Sequence, residues 1–206
     1  LDSYFESISG FTSTGFSIFD NIKHLDESLI LWRSSSQWVG GLYFLFSLIL
    51  LIDIFDENIK KSLTNFLSFN ISETFKQTFK ILILYSLLTV IIFIILKIFD
   101  FRTFDSFNLS MSLISSGGFL PLNDLSIAVN TNTKEIIFSI LMLFSYFSLF
   151  LIYNVLFLKE KSLNFFAEDI HLFIYFLILL IMFFVFFDSE YNFSSILFSL
   201  TSSMSN

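Results

Sequence analysis

Four stretches of this chain run uncharged for long enough to cross a lipid bilayer: Ser34 to Ile52, Ile81 to Leu96 with polar flanks that extend it, Ile137 to Leu158 and Leu172 to Phe187. A hydrocarbon layer of about 30 Å takes about 20 helical residues to span. A Lys or Asp at its centre costs about 2.5 to 3.5 kcal/mol on insertion scales, so the charges gather at the ends of the runs. Of the 206 residues 55% are hydrophobic and 14% charged, with a mean hydropathy of +0.79, which places the chain among integral membrane proteins. The 32 Phe read as lipid-facing bulk rather than as an aromatic binding site. Cysteine is absent and there are two His, which excludes disulfides, thiolate metal sites and cysteine nucleophiles. The net charge of −7 leaves no basic stripe for nucleic acid.

Between the long runs lie segments that fit neither a span nor an aqueous loop. Phe104 to Phe119, FDSFNLSMSLISSGGF, has helically spaced apolar residues at Phe107, Met111 and Ile114 and then breaks at Gly117 and Gly118. It is too short and polar to cross a bilayer and too apolar for water. A half-length helix followed by irregular backbone is tolerated at membrane depth only inside protein or against a water-filled cavity. The pattern occurs twice: a shift of 103 positions pairs Asp2 with Asp105, Ser3 with Ser106, Ser9 with Ser112, Ser13 with Ser116, Gly15 with Gly118 and Phe16 with Phe119. A third copy begins at Phe193 to Asn206, with Ser205 and Asn206 opposite Thr12 and Ser13, so that its glycine is expected just past the last residue.

Glycine-broken half-helices rich in Ser and Thr suit one kind of chemistry. A dehydrated alkali cation needs a cage of oxygens, which a filter supplies by turning backbone carbonyls from several loops toward one axis. Gly15 and Gly118 are the permissive positions in that reading. Thr12, Ser13 and Thr14, with Ser115, Ser116 and Gly117, offer the carbonyls and hydroxyls, and Ser205 and Asn206 would start a third such loop. The helices before them aim their partially negative C-terminal ends at the same place. The plainer alternative is close helix packing at small residues, which is the favoured reading for Gly40 and Gly41 inside a full-length span.

FESISGFTSTGFS followed by LILWRSSSQWVGG resembles the first pore loop and following helix of the Trk/Ktr/HKT superfamily of potassium transporters, of the TrkH type. SLISSGGF is similar to that family's second filter, and NVLFLKEKSLNFFAEDIHLFIYF to the junction of its second and third repeats. FLP after Gly118 departs from the small polar residues usual there. The resemblance implies an all-α membrane protein of helix, re-entrant pore loop, helix units around a pseudo-fourfold pore. Here 1–54 would be the first repeat without its first helix, 55–73 a cytoplasmic connector, 74–160 the second repeat and 161–206 a third, truncated within its loop. It also implies K⁺ conduction through backbone carbonyls of the filter residues, a homodimer, and a cytoplasmic nucleotide-binding regulatory subunit. No cofactor is expected in this chain, with potassium as its substrate, and the location expected is the cell membrane, crossed several times. A sodium or non-selective monovalent cation transporter of the same architecture is the alternative.

Other residues carry competing readings. Trp32, Arg33, Gln37 and Trp38, at the start of a span, suit interfacial anchoring better than gating. Glu6 either braces the first loop by accepting backbone hydrogen bonds or sits solvated near its mouth. The basic residues Lys60, Lys61, Lys76, Lys80, Lys159 and Lys161 place the two connectors on the cytoplasmic side. Gly15 to Ile18 fits a loose intramembrane serine-protease pattern, but the serine needs a histidine base, and His171 belongs at the opposite membrane face from Ser17. His24 and His171 have no carboxylate or His partners at metal-ligand spacing. A non-conducting scaffold would have no use for two half-helices ending in the same Ser/Gly break. No enzymatic activity is expected.

Overall fold

The computed structural model describes residues 2–55, 71–157, 171, 174–182 and 192–205. Among these residues every regular element is a helix. In chain order they are α1 (Asp2–Phe11), a 3₁₀ turn (Ile22–His24), α2 (Glu27–Phe55), α3 (Ile71–Ile98), α4 (Thr103–Ile114), the single turn α5 (Leu125–Ala128), α6 (Asn132–Phe157), a helical stretch at 174–182, and α7 (Phe193–Ser205). The all-α expectation holds. The connectors at 56–70 and 158–170, the ends of the fourth apolar run and Asn206 lie outside the described residues.

Long and short helices divide as the charge-free runs require. With 29, 28 and 26 residues, α2, α3 and α6 are each about 40 Å long at 1.5 Å per residue. Among the described residues, Phe79–Ile98 in α3 is the one stretch both long and apolar enough to cross a membrane. Its inner face buries Ile81, Tyr85, Leu88, Ile92 and Leu96, while Ile83, Leu87, Val90, Ile94 and Ile98 stand exposed on the outer one. A helix apolar all round belongs in a core or in lipid. With one side packed and the other bare, α3 suits a position at the lipid boundary.

The short helices have a different task. α1 packs on α2, α4 is enclosed by α2, α3 and α6, and α7 lies along α6. The main core joins Leu42 and Leu45 of α2, Leu88 and Ile92 of α3, Leu109 and Leu113 of α4, and Phe138 and Leu141 of α6. A smaller cluster sets Phe176 against Leu197 and Leu200 of α7. Residues 108–114 of α4 are buried on every side, so the helix is not the amphipathic stripe its spacing suggests. Met111 and Ile114 face inward, but Phe107 is 46% exposed. The polar residues of α4 tolerate burial because they bond to their own helix: Ser106 Oγ donates to the Arg102 carbonyl (2.9 Å), Asn108 Nδ2 to that of Phe104 (2.8 Å) and Ser110 Oγ to that of Phe107 (2.8 Å). Such back-bonding offsets the desolvation cost of the two hydroxyls and of the Asn108 Nδ2 donor, while Asn108 Oδ1 is buried with no partner among the described residues.

Candidate functional site: two capped loops on one helix

α1 and α4 stop in the same way. Ser13 N donates to Gly10 O (3.0 Å) and Thr14 N to Ser9 O (3.0 Å), while Ser116 N donates to Leu113 O (2.9 Å) and Gly117 N to Ser112 O (2.9 Å). This is the left-handed helix cap in which two amides fold back onto the last turn and satisfy its orphan carbonyls. It places Ser13 at φ 54° and Ser116 at φ 50°, a position usually given to glycine. Capping therefore accounts for these two left-handed serines. It does not account for Gly15 (φ 78°) and Gly118 (φ 74°), two residues beyond each capping serine. There the backbone turns left-handed a second time, where an L side chain costs about 1–2 kcal/mol.

Folding the amides back has a consequence for the carbonyls. Among the described residues, no hydrogen bond reaches the carbonyls of Thr12, Ser13, Thr14, Gly15, Ser115, Ser116 or Gly118. The Gly117 carbonyl accepts from Gln37 Nε2. Some hydroxyls are spent locally: Thr12 Oγ1 donates to Ile8 O (2.7 Å) and pairs with Thr14 Oγ1 (2.7 Å), and Ser115 Oγ bonds to Met111 O (2.9 Å). What stays available along both loops is main-chain oxygen.

The loops also meet. A Cβ at Gly15 would collide with the Gly117 carbonyl oxygen and sit 3.0 Å from Gly118 Cα. The neighbouring glycines of α2 allow the same closeness on the other side: Gly40 lies against the Phe11 carbonyl, and a Cβ at Gly41 would stand 2.7 Å from Ser115 Cβ. Close packing is thus what Gly40 and Gly41 do, and what they pack against is the end of each short helix. A cavity of about 130 Å³ lies behind the second loop, lined by Ser112, Ser116, Gly117 and Gly118 with Ser145 of α6 and Ser202 of α7. Ser145 Oγ donates to the Leu113 carbonyl. Ser205 is still helical, the last residue of α7.

The start of α2 departs from an interfacial anchor. Trp32 is 48% exposed, as an anchor would be, but Arg33 is 1% exposed and Gln37 is fully buried. The reason is Glu6, itself 2% exposed, which receives Arg33 Nε at Oε2 (3.0 Å). Glu6 Oε1 accepts from Ser17 Oγ (2.6 Å) and Ile18 N (2.7 Å), and Arg33 Nη2 donates to Ser17 Oγ (2.9 Å). Glu6 is therefore a brace rather than a solvated carboxylate. The Arg33 guanidinium also lies 4.2 Å from the centroid of Phe119, just after the second loop, an attraction between cation and ring face. Arg33 Nη1 is buried with no partner among the described residues. Ser17, held by Glu6 and Arg33, has its hydroxyl engaged by a carboxylate instead of by a histidine base. Trp38 donates from Nε1 to Thr89 Oγ1 of α3 (3.0 Å) and packs on Tyr85, so it joins helices instead of marking an interface.

Sequence reasoning located both loops and missed their common support. Of the two readings open for Glu6 the structure shows the brace, whereas Arg33, expected to snorkel to the interface, is buried against it. Their opposite charges in low-dielectric surroundings were the signal that could have paired them.

An all-helical fold with one described stretch long and apolar enough to cross a membrane, and short capped helices packed beside it, is compatible with a membrane protein. Relatives give the particular kind. The chain is 28% identical over 155 residues to an uncharacterized cation transporter of Methanocaldococcus jannaschii, covering 69% of this chain and 30% of that protein. It is 28% identical over 178 residues to the Trk system potassium uptake protein TrkH of Halomonas elongata, covering 82% of this chain and 36% of the other. A 41-residue stretch is 44% identical to TrkI of the same organism, 20% of this chain and 8% of that one. The chain spans about a third of the length of the first two. No family model and no solved structure matches it. At this modest identity the similarities support a Trk-type cation transporter family, whose members here are transporters and not enzymes.

Proposed function

We propose that the chain forms part of the pore of a potassium uptake transporter, with Thr12 to Gly15 and Ser115 to Gly118 as two segments of a carbonyl-lined selectivity filter. The observation that carries this reading is the matched pair of loops: amides folded back on the helix ends, carbonyls other than that of Gly117 without a partner among the described residues, and direct contact at Gly15 and Gly117. Uncharged oxygens, aided by the negative ends of α1 and α4, suit a monovalent cation, which must bind strongly enough to enter and weakly enough to leave. Ser205 and Asn206 would begin a third segment. A homodimer and a cytoplasmic nucleotide-binding regulatory subunit belong to the same proposal, which rests there on the resemblance. The test is rubidium uptake by cells that lack their own potassium uptake, supplied with the full-length gene product. Saturable uptake that potassium competes away better than sodium is expected. Sodium competing equally would favour the non-selective alternative, and no uptake at normal membrane abundance would overturn the assignment.

A further inference from the structure

Gln37 is the one side chain of α2 whose two amide ends grip the second loop. Nε2 donates to the Gly117 carbonyl, and Oε1 accepts from the Phe119 amide (3.2 Å). Gly118 lies between those two bonds, with its φ at 74°. The backbone carbonyl of Gln37 accepts from Ser13 Oγ of the first loop (3.4 Å). The contact is tight as well as polar, since a Cβ at Gly117 would stand 2.5 Å from the Gln37 amide carbon. Gln37 is fully buried, so each lost bond would leave a polar group stranded in a dry interior.

We infer that Gln37 is a positioning residue for ion selectivity: by fixing the peptides on either side of Gly118, it sets the direction of the Gly118 carbonyl. The inference rests on the filter reading above. A primary amide suits the task because it donates and accepts about one methylene beyond the reach of Asn, from a helix already in register with both loops. A carboxylate at the same place would accept from Phe119 but repel the Gly117 oxygen. A thioether would fill the space and bond to neither.

The experiment compares Gln37→Glu, Gln37→Met and Gln37→Asn in the full-length gene product, reading potassium against sodium competition for rubidium uptake at matched membrane abundance. Glu, which loses one of the two bonds, is expected to lower the preference for potassium by about three- to tenfold, and Met, which loses both, by at least as much. Asn keeps the amide chemistry with a shorter reach and is expected to fall between them and the parent. A purely structural role would lower abundance or thermal stability without moving the competition ratio, and that result overturns the inference. If Glu and Met do not accumulate, Asn decides: a shifted ratio supports the inference and an unshifted one overturns it. Failure of the parent protein to transport any monovalent cation would instead strike the filter reading.

Discussion

Just past the first loop, Ser17 and Ile18 are held by a charged pair, Glu6 and Arg33, while the matching chain from Ser115 to Gly118 at the end of α4 is held by neutral groups inside a packed core. The outer face of α1 is bare, with Tyr4, Phe5, Ile8 and Phe11 all exposed, and α4 is enclosed from residue 108 to 114. Nearly the same backbone is therefore stabilised by two kinds of physics. Where packing surrounds the helix, an amide and a serine hydroxyl suffice. Where one face is open, an ion pair fixes the loop from behind and reaches across to the other through Phe119.

The sharpest way to break this contrast is to remove one charge. Arg33→Met leaves the buried Glu6 carboxyl without its charge partner and is expected to destabilise the protein by about 3–5 kcal/mol, whereas Glu6→Gln combined with Arg33→Met should recover much of the loss. Thermal unfolding of the purified protein in detergent measures both. A single variant as stable as the parent would mean that the first loop does not depend on its charges.

The glycines come next. Gly118→Ala places a side chain at positive φ, at a cost of about 1–2 kcal/mol. Gly15→Ala carries the same strain and also drives its Cβ into the Gly117 carbonyl. Gly15→Ala should therefore lower the unfolding temperature further. The corresponding Ser variants should both weaken the preference for potassium over sodium in rubidium competition. Wild-type selectivity retained in Gly15→Ser and in Gly118→Ser would count against both loops as filter segments.

Much of this was legible in the residues. The repeat was visible because Gly15 and Gly118, Ser13 and Ser116, and Ser9 and Ser112 recur in one register, and each pair performs a matching backbone task. Long helices followed from charge-free length. Arg33 was not legible, because an Arg beside a Trp at the start of an apolar run has the same local pattern whether it snorkels to the interface or turns inward to a Glu 27 residues away. Gln37 was hidden for a related reason: its partners are Gly117 and Phe119, 80 and 82 residues distant. Spacing reports which residues share a helix face. It does not report what that face meets, and so Phe107, apolar and in phase, turned outward.

The smallest expected difference lies where each loop returns to a helix. Asn21 and Asp124 occupy the same repeat position, but Asn21 precedes its 3₁₀ turn without a side-chain cap, whereas the Asp124 carboxylate accepts from Ser126 N (3.0 Å) at the start of α5. That backbone hydrogen bond, aided by the Ser126 side chain, holds the Asp124 carboxyl below the usual carboxylate range. A lowered folded-state pKa means that the cap contributes stability above the unfolded carboxylate pKa and loses it as pH falls through the folded value. Acidification should thus loosen the exit of the second loop and leave the first alone. Hydrogen-exchange protection at Ser126, corrected for intrinsic rate, is expected to drop across that acidic window, while the Lys23 amide, bonded to Asn123 Oδ1, keeps its own. Asp124→Asn retains an accepting oxygen without a titrating proton, so the drop should vanish. An acid response that survived the substitution would place its origin in another group and remove this last distinction between the two loops.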